Sequence, residues 1–147
     1  MKLQFIGDIE QLKTGIDIIS AKLPFEVAQD GMPITVEQRD GNIEVVANAE
    51  GATIRYQEKI HFFRALGLLV ENLLEKEQFN ISEQPKFTMN GGMFDCSRNG
   101  VLTVNSIKEF LQYMAIMGLN MMMLYTEDIY EVEGEKYFGY MRGKYSF

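Results

Sequence analysis

The sequence predicts an α+β protein in which an amino-terminal antiparallel sheet with covering helices is followed by a β-α-β unit. Two stretches, 8–23 and 59–77, carry apolar residues at helical spacing. Between them, residues 34–58 form short segments rich in Ile, Val, Thr and Tyr, separated by turn residues. Residues 91–125 then read as strand, helix and strand, which is the pattern of two parallel strands with a right-handed crossover.

The first helix is predicted over residues 8–23, with Asp8 as its N-cap. Its apolar stripe comprises Ile9, Leu12, Ile16, Ile19 and Leu23. Three strands follow within residues 34–58, divided by the turn signals Asp40-Gly41-Asn42 and Glu50-Gly51-Ala52. This spacing predicts an antiparallel meander.

The second helix is predicted over residues 59–77, and its apolar stripe is long enough to cover one face of the sheet. Helix, meander and helix together form a layer of about 80 residues, which is large enough to hold a core of its own. Residues 82–88 are polar and contain Pro85, which disfavours helix in the residue before it. We therefore expect an α+β domain over residues 1–85 and a second unit over residues 86–147.

The second unit begins with an apolar strand around Met93 and Phe94 and ends with the strand MMMLY, an unbroken apolar run typical of a strand buried on both faces. The helix between them is predicted over residues 106–118, with Ser106 and Glu109 as a capping box and Gly118 at its C-terminus. Its expected inward residues are Ile107, Phe110, Leu111, Met114 and Met117.

Composition excludes several classes of function. The 147 residues carry a formal net charge of −7, which argues against a general nucleic-acid or anionic-membrane surface. The single cysteine, Cys96, excludes an intrachain disulfide and a cysteine-based zinc cage. No run approaches the roughly 18 apolar residues of a membrane span, and no cofactor motif is present. We expect a cytoplasmic protein without a cofactor or metal.

Two polar clusters follow the two strands of the β-α-β unit. The first comprises Asp95, Ser97, Arg98 and Asn99, and the second comprises Thr126, Glu127 and Asp128. Ligands of parallel α/β sheets bind beyond the carboxyl ends of the strands, so both clusters are candidates for a site. Asp95 and Arg98 could form an ion pair that fixes a turn, or Arg98 could grip a polar ligand while Asp95 holds it. Glu127 and Asp128 are more typical of a solvated acidic loop than of a catalytic pair.

The remaining candidates favour structural roles. His61 lies at the start of a helix, remote in the chain from the clusters, and Cys96 is interpreted as a small packing residue. Aromatic residues near the carboxyl terminus could stack on sugar rings, but we expect them to pack a long loop against the protein. These are Tyr137, Phe138, Tyr140, Tyr145 and Phe147.

The run MFDCSRNGVLTVNSIKEFLQYMAIMGLNMMMLYTED resembles the first β-α-β stretch of glycoside hydrolase family 20, the β-N-acetylhexosaminidases, in which a strand ends in D-x-S-R. The following IYEVEGEKYFGYMRGKYS resembles the bacterial, intracellular-type branch of that family. The resemblance is strongest over residues 91–146. It implies a small α+β domain ahead of a (β/α)8 barrel, of which residues 86–147 would be the incomplete start.

The resemblance also implies roles for the two clusters. Arg98 would bind hydroxyls of the terminal N-acetylhexosamine of a glycan, and Asp95 would support it. An acidic residue after the second strand takes part in the sugar pocket of the family, and Asp128 is the nearest match, with Glu127 as the alternative. No catalytic residue is assigned, because the family uses an Asp-Glu pair on a later strand and this chain lacks it.

The leading hypothesis is therefore an amino-terminal fragment of a retaining exo-β-N-acetylhexosaminidase, itself inactive, whose parent uses the acetamido carbonyl of the substrate as nucleophile. Two strands with open edges predict self-association through residues 91–125. One alternative is a non-catalytic binding or assembly module whose β-α-β piece pairs with a partner sheet. A third hypothesis is a small α/β enzyme that acts as a dimer through Arg98 and Asp128.

Overall fold

The computed structural model describes residues 1–98, 100–142 and 145. The elements in these residues are β1 (Lys2–Gly7), α1 (Lys13–Ser20), β2 (Glu26–Val27), β3 (Met32–Gln38), β4 (Ile43–Asn48), β5 (Gly51–Tyr56), α2 (Lys59–Leu73), β6 (Phe79–Glu83), β7 (Gly91–Asp95), α3 (Val104–Ile116) and β8 (Met121–Tyr125). They form a six-stranded sheet and a separate two-stranded sheet. The predicted α+β class is confirmed.

The larger sheet is mixed, with the strand order β2-β1-β3-β5-β4-β6. The β4–β5 hairpin is antiparallel, as predicted, and the side chain of Asn48 accepts hydrogen bonds from two backbone N–H groups in its turn. The predicted meander is wrong, however, because β3 pairs in parallel with β5 instead of with β4. Alternating apolar residues specify which face of a strand is buried but not which strand lies beside it, so the parallel pairs were not predicted.

One core joins the inward faces of this sheet, α1 and α2. Every second side chain of β4 and β5 is buried, as expected of strands with one face on a core. Phe62 in α2 is fully buried and packs edge-to-face with Phe5, Tyr56 and Phe63. The predicted helical stripes are thus confirmed as core surfaces.

The start of the first helix was predicted too early. Helix α1 begins at Lys13, and Asp8 is not its N-cap, because the carboxylate of Asp8 accepts a hydrogen bond at 2.9 Å from the backbone N–H of Gln38. Residues 10–12 form a turn instead. Leu12, Ile16 and Ile19 are nevertheless buried, as their spacing indicated. The side chain that suggested a cap is used to tie the end of β1 to β3.

The β-α-β unit is confirmed: β7 and β8 are parallel, and α3 connects them. The N-cap of α3 is Thr103, whose hydroxyl accepts a hydrogen bond from the backbone N–H of Ser106, so the predicted Ser106 cap is wrong by one turn. Glu109 forms an ion pair with Lys22 instead of a capping box. Gly118 follows the helix with φ +78°, a left-handed conformation that favours glycine.

Only one of the five predicted inward residues of α3, Met114, is buried. Within the described residues, α3 packs against α2 and against β7, where Phe94 and Phe110 have ring centroids 5.0 Å apart. Phe110, Leu111 and Met117 remain exposed. A two-stranded parallel sheet offers too little surface to cover a whole helix face. In the part of the chain that the structure describes, no helix combines the length and hydropathy needed to cross a bilayer.

Candidate functional site

Both polar clusters lie at the carboxyl edge of the two-stranded sheet. Asp95 is the last residue of β7 and pairs in register with Tyr125, the last residue of β8. The backbone N–H of Cys96 continues the ladder by donating to the carbonyl of Tyr125 at 2.8 Å. Because the strands are parallel and end together, the loops that follow them start side by side, as the sequence predicted.

Asp95 is held by three donors. The backbone N–H and the hydroxyl of Ser97 donate to Oδ1 at 2.8 and 2.6 Å, and Nη1 of Arg98 donates to Oδ2 at 2.5 Å. These contacts, first of all the Ser97 hydroxyl, lower the pKa of Asp95 from 3.8 to about 2. The same pair raises the pKa of Arg98. The Asp95–Arg98 ion pair that the sequence suggested is therefore present.

Replacing Ser97 with alanine is expected to raise the pKa of Asp95 toward its ordinary value, since the largest stabilising contact of the carboxylate is removed. A carboxyl group whose pKa is lower in the folded protein than in the unfolded chain stabilises the fold at a pH above its unfolded-state pKa. This stabilisation is lost as the pH falls through the folded-state pKa, which for Asp95 means between about pH 4 and about pH 2. A ¹³C NMR titration of the Asp95 carboxyl measures the shift. An unchanged midpoint in Ser97→Ala would show that the hydroxyl does not hold the carboxylate.

Glu127 joins the two loops. Its Oε1 accepts a hydrogen bond from the Tyr125 hydroxyl at 2.9 Å and lies 3.4 Å from Nη2 of Arg98, while Oε2 lies 2.6 Å from Nη2 of Arg142. The carboxylate raises the pKa of Tyr125. The backbone of Glu127 has φ +47°, an uncommon conformation for a residue with a side chain. Such backbone persists where surrounding contacts hold it, as these three do.

Sequence reasoning did not single out Arg142. Its guanidinium also lies 3.1 Å from Oδ1 of Asp128 and donates to the backbone carbonyl of Ser97 at 3.0 Å. Arg142 lies in the segment YFGYMRG, and nothing in the neighbouring sequence distinguishes an arginine that bridges two loops from a solvated one. The contact partners are separated from it by 14 to 45 positions in the chain, so only the fold reveals them.

The structure thus brings all four predicted site residues into one network: Asp95, Arg98, Glu127 and Asp128. Arg98 is the most open of its cations, with 64% of its side chain exposed beside the ring of Tyr125. An exposed guanidinium bordered by carboxylates offers both donors and acceptors, which suits a ligand rich in hydroxyl groups. Among the described residues, no group of His, Cys, Asp and Glu is arranged to hold a metal. Asn99 lies outside the described residues.

The other predicted structural roles have mixed outcomes. His61 completes a capping box at the start of α2, and Cys96 is buried, so both are structural as expected. Phe138 packs on Tyr130 with ring centroids 5.1 Å apart. Tyr137 and Tyr140 remain strongly exposed, which corrects the expectation that the aromatic residues all pack. Phe147 lies outside the described residues.

Comparison with solved structures relates the whole described fold to glycoside hydrolases. The GH20 β-N-acetylhexosaminidase from Streptomyces coelicolor A3(2) matches 99% of this chain with a TM-score of 0.64 and 17% identity, over 37% of its own length. The GH20 exo-β-N-acetylglucosaminidase from Vibrio harveyi, solved in complex with N-acetylglucosamine, matches 95% of this chain with a TM-score of 0.69 and 17% identity, over 25% of its own length.

A GH138 enzyme that targets pectin rhamnogalacturonan II also matches, covering 85% of this chain and 18% of its own, with a TM-score of 0.60 and 11% identity. No protein family model matches the sequence, and no curated protein matches it significantly. The chain therefore spans between about a fifth and just over a third of the length of these solved structures. The resemblance that the sequence indicated is confirmed as a likeness of fold.

Proposed function

We propose that this chain forms the amino-terminal α+β domain and the first β-α-β unit of a retaining exo-β-N-acetylhexosaminidase, which removes terminal N-acetylhexosamine from glycans by substrate-assisted hydrolysis. The observation that carries the proposal is the position of Arg98. It follows the first strand of a β-α-β unit whose fold matches GH20 enzymes, and its side chain is open at the carboxyl edge where such sheets bind ligands.

In this proposal Arg98 donates hydrogen bonds to hydroxyls of the terminal sugar, and Asp95 fixes its orientation through the 2.5 Å contact. Asp128 is the acidic partner in the pocket, with Glu127 as the alternative. Glu127 already accepts from Tyr125 and contacts two arginines, whereas Asp128 contacts Arg142 alone among the described ion pairs. This difference favours Asp128 as the carboxylate that accepts from the ligand.

Replacing Arg98 with alanine is expected to weaken binding of N-acetylglucosamine by about 10-fold to 100-fold, since hydrogen bonds to a charged group contribute about 1.5 to 3 kcal/mol. NMR titration of the chain with the sugar measures the affinity. Arg39→Ala is the matched control, because Arg39 is also exposed and paired with a carboxylate, Glu44, but directly follows β3 of the larger sheet. Equal affinities of Arg98→Ala and the wild type would contradict the assignment.

The proposal also requires catalytic residues beyond those present, because the 147 residues contain no Asp-Glu dipeptide. Incubation of the purified chain with a chromogenic N-acetylglucosaminide is therefore expected to give no turnover above a buffer blank. Clear turnover that Arg98→Ala abolishes would show that the chain carries its own catalytic groups and would overturn this part of the proposal.

A second candidate function is assembly through the β-α-β unit. Met93 and Met123, on β7 and β8, have exposed fractions of 66% and 49%, and Leu124 is also exposed. Apolar side chains on a two-stranded sheet favour pairing with a further sheet, here a second copy of this chain. Light scattering at tens of micromolar tests this candidate, because a clean monomer would contradict assembly.

A further inference from the structure

We propose that Arg142 is a positioning residue for the sugar site: it clamps the loops after β7 and β8 together and holds Glu127 closer to itself than to Arg98, so that Arg98 stays open to ligand. This inference rests on the proposed function, because it assigns how the same site is held ready. Arg142 lies outside both polar clusters at the strand ends and outside the D-x-S-R motif.

Arg142 contacts three groups through three different nitrogens of its guanidinium. Nε contacts Asp128 at 3.1 Å, Nη2 contacts Glu127 at 2.6 Å, and Nη1 donates to the carbonyl of Ser97 at 3.0 Å. The first two partners belong to the loop after β8, and Ser97 belongs to the loop after β7. A planar fork of fixed donors can hold three such groups at once, whereas the single ammonium of lysine is a point charge.

The distances also indicate how the clamp protects Arg98. Glu127 lies 2.6 Å from Arg142 but 3.4 Å from Arg98, so its main ionic partner is Arg142. Arg98 is held mainly by Asp95 and keeps 64% of its side chain exposed, against 39% for Arg142. Without Arg142, the adjacent carboxylates of Glu127 and Asp128 lose their nearest cation, and Arg98 becomes the closest replacement. Arg98 would then be occupied within the protein and less available to a sugar.

Arg142→Ala is expected to weaken binding of N-acetylglucosamine about tenfold in the NMR titration, and Arg142→Lys is expected to restore only part of the affinity. If Arg142 acts through Arg98, adding Arg142→Ala to Arg98→Ala has no further effect, because the residue it positions is already absent. A purely structural clamp would instead lower the affinity further in the double variant. Arg39→Ala again serves as the control for loss of an exposed arginine.

Chymotrypsin cleavage after the exposed Tyr137 and Tyr140 supplies a readout that does not depend on sugar binding. Release of the loop in Arg142→Ala is expected to speed this cleavage about tenfold relative to the wild type and Arg39→Ala. Unchanged cleavage, or full restoration of sugar affinity by lysine, would overturn the clamp. The two proposals can fail separately. If the wild type does not bind the sugar but Arg142→Ala is cleaved faster, the proposed function and the role of Arg142 in sugar binding are both wrong. The contact of Arg142 with both loops is then still supported.

Discussion

Replacing Phe62 with alanine is expected to lower the free energy of unfolding by about 3 to 5 kcal/mol. Phe62 is fully buried, and its ring packs edge-to-face with Phe5 of β1, Tyr56 of β5 and its neighbour Phe63. Truncation removes contacts among α2, β1 and β5 at once and leaves a cavity that rigid strands cannot fill. Urea unfolding followed by circular dichroism measures the loss.

Phe87 provides the matched control, because it is the same residue type in the segment between the two sheets, with an exposed fraction of 74%. Its replacement by alanine is expected to change stability by less than about 0.5 kcal/mol. Similar losses in the two variants would contradict a single core centred on α2. Since α3 packs against α2, unfolding of the larger sheet in Phe62→Ala is expected to expose the β-α-β unit as well.

Replacing Gly91 with alanine is expected to separate β7 from β8 and to cost about 3 kcal/mol. A Cβ atom at Gly91 would overlap the backbone carbonyl oxygen of Met121, its partner in register, and would also crowd the Met121 side chain. Backbone of a neighbouring strand cannot move aside without breaking ladder hydrogen bonds. The clash lies at the end of the sheet opposite the site, so any effect on the site must pass through the strands.

Hydrogen exchange over residues 121–125 measures this separation, and faster exchange in Gly91→Ala is the expected result. Gly92→Ala is the control, because the nearest atom to its Cβ is the edge of the Phe94 ring at 3.2 Å, which can shift by rotating. We also expect Gly91→Ala to weaken sugar binding, since Asp95 and Tyr125 would no longer end side by side. Exchange as slow as in Gly92→Ala would show that the strands accommodate the methyl group.

Much of the fold follows from local pattern. The apolar stripes of α1 and α2 are buried where their spacing placed them, and β7, α3 and β8 occur in the predicted order. Errors arose where a polar side chain had two possible partners. Asp8 could cap a helix but accepts from Gln38 across the sheet, and Ser106 could cap α3 but Thr103, three residues earlier, does so. The partner of Asp8 is 30 residues away in the chain, whereas Thr103 and Ser106 are local alternatives for the same cap.

The parallel strand pairs of the larger sheet also could not be predicted from local sequence patterns. The β4–β5 hairpin is joined by a short turn, so its pairing can be predicted from the sequence of that turn. The strands β1, β3 and β5 pair in parallel, and each parallel pair needs a longer connection that carries no such local signal. β1 and β6 were not predicted as strands at all. Their short, mixed segments carry a weak pattern, and pairing with strands already in the sheet decides their conformation.

By itself, the sequence determined the α+β class, the β-α-β unit and the placement of Asp95, Arg98, Glu127 and Asp128 at the ends of two parallel strands, because residue periodicity and strand direction are local properties. Only the tertiary structure decided that β3 lies beside β5, that Glu127 faces Arg142 more closely than Arg98, and that Arg142 joins both loops. Those features depend on distances between residues far apart in the chain, which are set by packing of the whole fold.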